Sequence, residues 1–463
     1  MRLPSGAIRV VASAAVALAL SACSAGGSGT PPNSPLSMSP TSLVTMPNAH
    51  RRTSSKIQHV VILVQENRSF NNLFYGYPGA KTATSGEDSN GNTITLQPVS
   101  LATSWDIDHS SNSFFAACNG TGSIPGTNCR MNGFNNEYVG CGGSGPPCPN
   151  PNPQYSYVPN TETKPYFEMA NQYVLADEMF ASNFDASSFI SHQYIISGQA
   201  LGSVNFPNGL WGCPGGPSDT ISKVGPQRQI PNGYQVVCWD PTTLGDELDN
   251  AGIPWAFYTA TIYGDLGIWS AYQAIKHIYN GPDWKKDIIT PQTQFFNDVS
   301  SGNLRAVSWI TPTWENSDHA GSNSTTGPSW VTSVVNAIGE SKYWDSTAIF
   351  IFWDDYGGWY DPVAPKYVDY DGLGLRIPML IISAYAKKGH VSHVHYEHGS
   401  ILRFIEDQFG LGRLAASDKR ARSPQTDAFD FSQPPRKFQK IQAPYDLRYF
   451  LRQPIDHHIP DAE

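Results

Sequence analysis

The sequence predicts an α/β fold built on an open, largely parallel sheet. Two observations carry that expectation: five short, predominantly apolar runs, and helical patterns lying between several of them. A strand buried on both faces reads as continuous apolar sequence rather than as alternation. Strands that alternate with helices are brought side by side in one sheet. The first run covers 57–64 and is followed at once by Glu66-Asn67-Arg68-Ser69 and a helical pattern through Phe70 and Phe74. The others cover 254–259, 306–310, 347–353 and 377–383, with helical segments over 270–279, 331–338 and 400–409. A further helical pattern, 194–198, follows Asp185-Ala186-Ser187-Ser188.

The chain of 463 residues has room for one large domain or two ordinary ones. With 30 Lys+Arg against 39 Asp+Glu, its charge of −9 argues against a nucleic-acid partner. Only 15% of residues are charged, while 41 Gly and 36 Pro accompany 12 Trp, 22 Tyr and 21 Phe. Disordered chains lack such aromatics, so the turn residues belong to long ordered loops. Residues 1–22 read as an export signal: Arg2 and Arg9 precede an apolar run, 10–20, that is shorter than the ~20 residues a membrane span needs. Leu20-Ser21-Ala22-Cys23 resembles a bacterial lipobox, which would make Cys23 a lipid anchor in the membrane; the other reading is a soluble export signal cut nearby. Residues 23–55, rich in Ser, Thr, Pro and Gly, form a flexible tether, 56–440 the main domain, and 441–463 a tail packing on it. Six cysteines remain, an even number that suits disulfides in an exported protein. The simplest pairing joins neighbours, Cys118–Cys129, Cys141–Cys148 and Cys213–Cys238.

Open α/β sheets place their sites at the carboxyl ends of strands. Two expected strands end in acids there, Glu66-Asn67 after the first and Asp354-Asp355 after the fourth. Carboxylates and an amide oxygen suit one hard divalent cation, of unspecified identity. Gly357-Gly358 permits a backbone turn that would let both Asp side chains converge. Acids at strand ends also cap helices or face solvent, and that reading stays open. Ser187 and Ser188 precede a helix, where they would serve either as caps or as a nucleophile favoured by the helix N-terminus. His390, His393, His395 and His398 have intervals that fit no single helix face, and local hydrogen bonding near a pocket rim is expected of them rather than metal binding.

Glu66-Asn67-Arg68-Ser69-Phe70 resembles the opening signature of the bacterial phosphoesterase family that holds phospholipases C and a group of acid phosphatases. Asp354-Asp355-Tyr356-Gly357-Gly358-Trp359-Tyr360-Asp361-Pro362-Val363 resembles its second signature. Trp105 to His109, Ser317-Asp318-His319 and Glu397 to Glu406 are similar to further family blocks, in the family's order and from residue 57 to about 440. The resemblance implies an alkaline-phosphatase-like three-layer sandwich with long loop insertions. It implies that Glu66, Asn67, Ser188, Asp354 and Asp355 hold one divalent metal ion. It further implies that Ser188 is the nucleophile, with Ser187 the adjacent alternative, and that His109 and His319 line a phosphate pocket. The reaction implied is two-step phosphoryl transfer through a phosphoserine.

Departures from the family pattern bear on the substrate. Many phospholipase-type members show Asp-Glu-His-Gly-Gly where this chain has Asp354-Asp355-Tyr356, often carry His where Pro362 stands, and commonly use Thr as nucleophile. Paired Asp with Ser leans toward an acid-phosphatase-like phosphomonoesterase. A phospholipase C cleaving phospholipid head groups is the alternative within the chemistry. A non-catalytic surface protein binding glycans through its Trp and Tyr is the alternative outside it. The expected partner is thus a phosphate ester or phospholipid; oligomeric state is not legible.

Overall fold

The computed structural model describes residues 55–459 apart from 208, 209, 263 and 265. The expected signal segment and the tether up to residue 54 therefore lie outside the described residues. The described residues belong to one unit, 52–463. Its centre is a sheet of nine strands: β1 His59–Gln65, β2 Val174–Phe180, β3 Trp255–Tyr258, β4 Ile288–Ile289, β5 Val307–Ile310, β6 Thr347–Trp353, β7 Arg376–Ser383, β8 His390–Ser392 and β9 Tyr396–Glu397. The order is β4-β3-β5-β1-β6-β7-β2-β8, with β9 also paired to β2. β6 is buried along its whole length and β1 is buried beyond His59, which requires cover on both faces of the sheet. Helices α1 Phe70–Leu73, α2 Lys164–Gln172, α3 Ser188–Ser197, α4 Gln294–Ser301, α5 Gly327–Gly339 and α6 His398–Phe409 contribute to that cover. α5 packs with α2 and α4, and α3 packs with α6.

All five expected strands are present, with ends shifted by a residue or two. The sheet is largely parallel, but β7 runs against both neighbours, β6 and β2. The reason lies in the connection: residues 354–375 contain no helix, so the chain never crosses the sheet and must start β7 at the end where β6 stopped. β2 was not foreseen, because Asp177 and Glu178 interrupt its apolar run. Asp177 is tolerated in the buried sheet because the Lys81 N–H and His393 Nδ1 both bond its carboxylate at 2.9 Å. The helix expected over 270–279 is divided into Ala271–Ala274 and Lys276–Tyr279. Ile275 between them forms a β-bridge with Trp239, and the Trp239 carbonyl takes the Lys276 N–H.

The cysteines pair as neighbours, Cys118–Cys129, Cys141–Cys148 and Cys213–Cys238, which fits an oxidising, exported setting. Residues 441–450 lie along α5: Ile441 exchanges two hydrogen bonds with the Asn336 side chain, at 3.0 and 2.9 Å. Phe450, buried, meets Trp330 edge-on at 5.5 Å. No helix among the described residues is long and apolar enough to cross a membrane.

Candidate active site

β1 and β6 are adjacent and parallel, with Gln65 opposite Trp353. Glu66-Asn67 and Asp354-Asp355 therefore leave the sheet side by side, although far apart in sequence. The Asp354 N–H donates to Gln65 O (3.0 Å), the Asn67 N–H to Asp354 Oδ1 (2.9 Å) and the Arg68 N–H to Asp355 O (3.0 Å). Asn67 sits in the left-handed region at φ 57°, which Asn tolerates better than most residues. Gly357, at φ 60°, passes so close that a Cβ there would lie 2.1 Å from Asn67 O. All four acidic and amide side chains are fully buried.

Ser188 opens α3, and its hydroxyl faces Asn67 Oδ1 at 3.2 Å and Asp355 Oδ2 at 3.4 Å. Ser187 occupies the cap position without a capping bond; its hydroxyl donates instead to Asn205 O at 2.7 Å. The two serines, indistinguishable by sequence, thus point to different surroundings, and only Ser188 meets the strand-end groups.

The Asn67 amide Nδ2 donates to His109 Nε2 (2.9 Å) and His319 Nε2 (2.8 Å). Each imidazole bonds a backbone carbonyl through Nδ1, His109 to Ile107 O and His319 to Ala320 O. A carbonyl only accepts, so Nδ1 carries the hydrogen and Nε2 is the acceptor turned toward Asn67. Every sequence-nominated residue, Glu66, Asn67, His109, Ser188, His319, Asp354 and Asp355, consequently belongs to one cluster with Asn67 at its centre.

His192 joins them, its Nε2 3.1 Å from Glu66 Oε1. It was unforeseen as a site residue, although the signal existed: it lies four residues after Ser188, on the same helix face. Glu66, His192 and Asp354 each present a ligand atom, all within 4.8 Å of one another. Asp354 Oδ2 is buried and has no hydrogen-bond partner. A buried carboxylate oxygen left bare is costly unless something cationic meets it, so the donor set fits a hard or borderline divalent ion. A second acid group, Asp249, Asp283 and Asp287, already surrounds an ammonium: Lys286 Nζ is 3.1 Å from Asp287 and 3.4 Å from Asp249. Of the four later histidines, His390 pairs with Asp427, His393 with Asp177 and His398, whose Nδ1 accepts the Ser182 N–H at 3.4 Å, with Ser182; His395 lies beside Glu178 at 3.7 Å without a hydrogen bond. His398 is fully buried, and burial, reinforced by His192, lowers its pKa to about 3.

Arg68 is buried behind the site, its Nε donating to Asp318 O (2.8 Å) and its guanidinium 4.7 Å from the Trp359 ring. Burial lowers it to about 10, which leaves it charged at neutral pH. Burial raises Asp318 to about 6 even though Tyr166 OH (2.6 Å) and Trp353 Nε1 (3.2 Å) bond its carboxylate. Burial likewise holds the Glu137 carboxyl well above its ordinary range, with Tyr356 OH donating to it at 2.8 Å. A cavity of about 560 Å³ opens beside His109, lined by Asp106, Asp108, Asn112, Tyr138, Asn205 and Phe206 among others.

Residues 57–412 match the sequence model of the Phosphoesterase family. A non-hemolytic phospholipase C of Pseudomonas aeruginosa is 28% identical over 312 residues, covering 58% of this chain and 42% of that protein. A hemolytic phospholipase C of the same organism is 24% identical over 435 residues, covering 80% and 55%. The chain thus spans about half the length of these relatives. Among solved structures, a protein in the alkaline phosphatase superfamily from Vibrio parahaemolyticus aligns with a TM-score of 0.36 at 10% identity, covering 81% of this chain and 72% of that one.

Proposed function

The chain belongs to the Phosphoesterase family, and on that premise we propose that it is a metal-assisted phosphoric ester hydrolase, an acid-phosphatase-like phosphomonoesterase working through a phosphoserine. The observation that carries this reading is the Ser188 hydroxyl at a helix start, 3.2 Å from Asn67 Oδ1 and 3.4 Å from Asp355 Oδ2. Ser188 Oγ attacks phosphorus as the bond to the alcohol oxygen breaks. Water then cleaves the Ser188–phosphate ester, returning the hydroxyl and releasing phosphate. Once protonated at Nε2, His319 or His109 donates a hydrogen bond to the phosphoryl group or delivers a proton to the leaving oxygen. Glu66, Asp354 and Asp355, with Asn67, Ser188 and His192, would hold the divalent ion. Bound there, the ion supplies Lewis-acid neutralisation of charge on the serine oxygen and the phosphoryl group. The N-terminus of α3 adds backbone N–H groups suited to an anion.

The departures from the phospholipase pattern, Asp354-Asp355-Tyr356 and a serine at 188, support the monoester reading, whereas the cavity beside His109 combines acids and amides with the Tyr138 and Phe206 rings and favours neither ester class. A phospholipase C activity is the second reading, favoured by the names of the relatives. Export with a lipid anchor at Cys23 completes the proposal. The test is turnover of p-nitrophenyl phosphate, bis-p-nitrophenyl phosphate and phosphatidylcholine, with and without chelator. The expected result is chelator-sensitive turnover, fastest with the monoester, together with a phosphorylated peptide containing Ser188. Ser188→Ala should lower kcat about a thousandfold or more, and Ser187→Ala only a few-fold. Phosphatidylcholine as the best substrate would select the second reading, and no turnover of any ester would refute both.

A further inference from the structure

The turn that leads into His319 is held from outside by a segment more than a hundred residues away. Tyr449 OH donates to Glu315 Oε1 at 3.2 Å, Asn316 Nδ2 donates to Gln453 Oε1 at 2.7 Å, and the Trp314 N–H donates to Asp456 Oδ2 at 2.7 Å. The His458 ring lies nearly flat on the Trp314 indole, centroids 4.0 Å apart and planes 12° apart. The same indole is 4.3 Å from the His319 ring. Three rings, His458, Trp314 and His319, are therefore in series from the surface to the buried cluster. The turn also reaches the strand end: Ser317 Oγ donates to Trp314 O (2.8 Å) and accepts from the His319 N–H (3.1 Å), while Ser317 O takes the Glu66 N–H (2.9 Å).

We propose that residues 453–458 are positioning residues of the active site. By clamping Trp314 they fix the plane of the His319 imidazole, and with it the direction of Nε2. This rests on the reading of His319 as a phosphate-facing group. His319 is bonded at both ring nitrogens, Nδ1 to Ala320 O and Nε2 to Asn67 Nδ2, and the Trp314 packing holds the ring in the plane that keeps both bonds aligned. Small losses of orientation at a reacting group cost rate far more than stability. The segment suits such a role because it is separable from the core: His458 and Ile455 are exposed, and the nearest fully anchored residue is Phe450.

The experiment uses the full chain. The double variant Asp456→Ala/His458→Ala should lower kcat about tenfold, with KM within about twofold and an unchanged Tm. The conservative pair Asp456→Asn/His458→Phe, which keeps an acceptor oxygen and a flat ring, should restore most of kcat. Leu451→Ser, at an exposed position outside the segment, should behave as wild type. In parallel, ¹⁵N-histidine spectra should show His319, identified by its loss in His319→Asn, leaving its single Nδ1–H tautomer in the Ala variant only. Unchanged kcat together with an unchanged His319 signal overturns the proposal, as does a loss that the conservative pair fails to restore. Wild-type protein that turns over no ester would instead refute the hydrolase reading, and the His319 spectra would still decide the clamp.

Discussion

Asn67 carries more of the site than its neighbours do. Its amide nitrogen serves His109 and His319, its amide oxygen serves Ser188, and its backbone N–H binds Asp354 Oδ1. The side chain must donate on one side and accept on the other, which Asn does and Asp cannot. Asn67→Asp keeps the size and the tolerance of positive φ, yet it places a carboxylate against two imidazole nitrogens that now accept. We expect a fold retained by circular dichroism and a kcat reduced about a hundredfold. A variant within twofold of wild type would show that Asn67 is a spacer. The same reasoning explains what sequence could not separate at Ser187 and Ser188: both suit a helix start, and only the direction of each hydroxyl distinguishes them.

At the scale of elements, two joints set the geometry. The first is the turn after β6, where Gly357 lies against the Asn67 carbonyl. Gly357→Ala would bring both a positive-φ penalty and a collision with backbone that cannot yield. The expected outcome is a loss of about 1–3 kcal/mol in denaturant unfolding and loss of most activity, because the ends of β1 and β6 must part. The second joint is the approach to α3. Asp185 accepts the Asn205 N–H at 2.8 Å and lies near Asp371. Burial first, then each one's acidic neighbour, raises Asp185 and Asp371 to about 7. Folded protein thus keeps protons that unfolded chain gives up near pH 4, so this contribution is full below about pH 4 and is lost as pH rises to about 7. Tm should fall across that interval, and Asp185→Asn should flatten the fall. An unaltered slope in the variant would exclude Asp185 as a source.

For the whole molecule, the bare Asp354 oxygen and the converging Glu66 and His192 predict coupling between cation and stability. Chelation should lower Tm and activity together, and a divalent ion should restore both; activity lost at constant Tm would place the ion elsewhere. Much of this architecture was legible beforehand for local reasons. Continuous apolar runs mark strands buried on both faces, acids immediately after them mark strand ends, and neighbouring cysteines close short loops. What escaped was non-local: β2 hides its buried character behind Asp177, the helix over 270–279 breaks because Trp239 bridges Ile275, and β7 reverses because its connection never crosses the sheet. The amino-acid sequence by itself determined which side chains stand at the ends of strands and the start of α3, since periodicity and turn chemistry are properties of neighbouring residues. Only the tertiary structure decided that β1 and β6 are adjacent, that Ser188 rather than Ser187 faces them, and that His192 meets Glu66. Strand order and helix rotation are settled by how whole faces pack together, and no short stretch of chain contains that information.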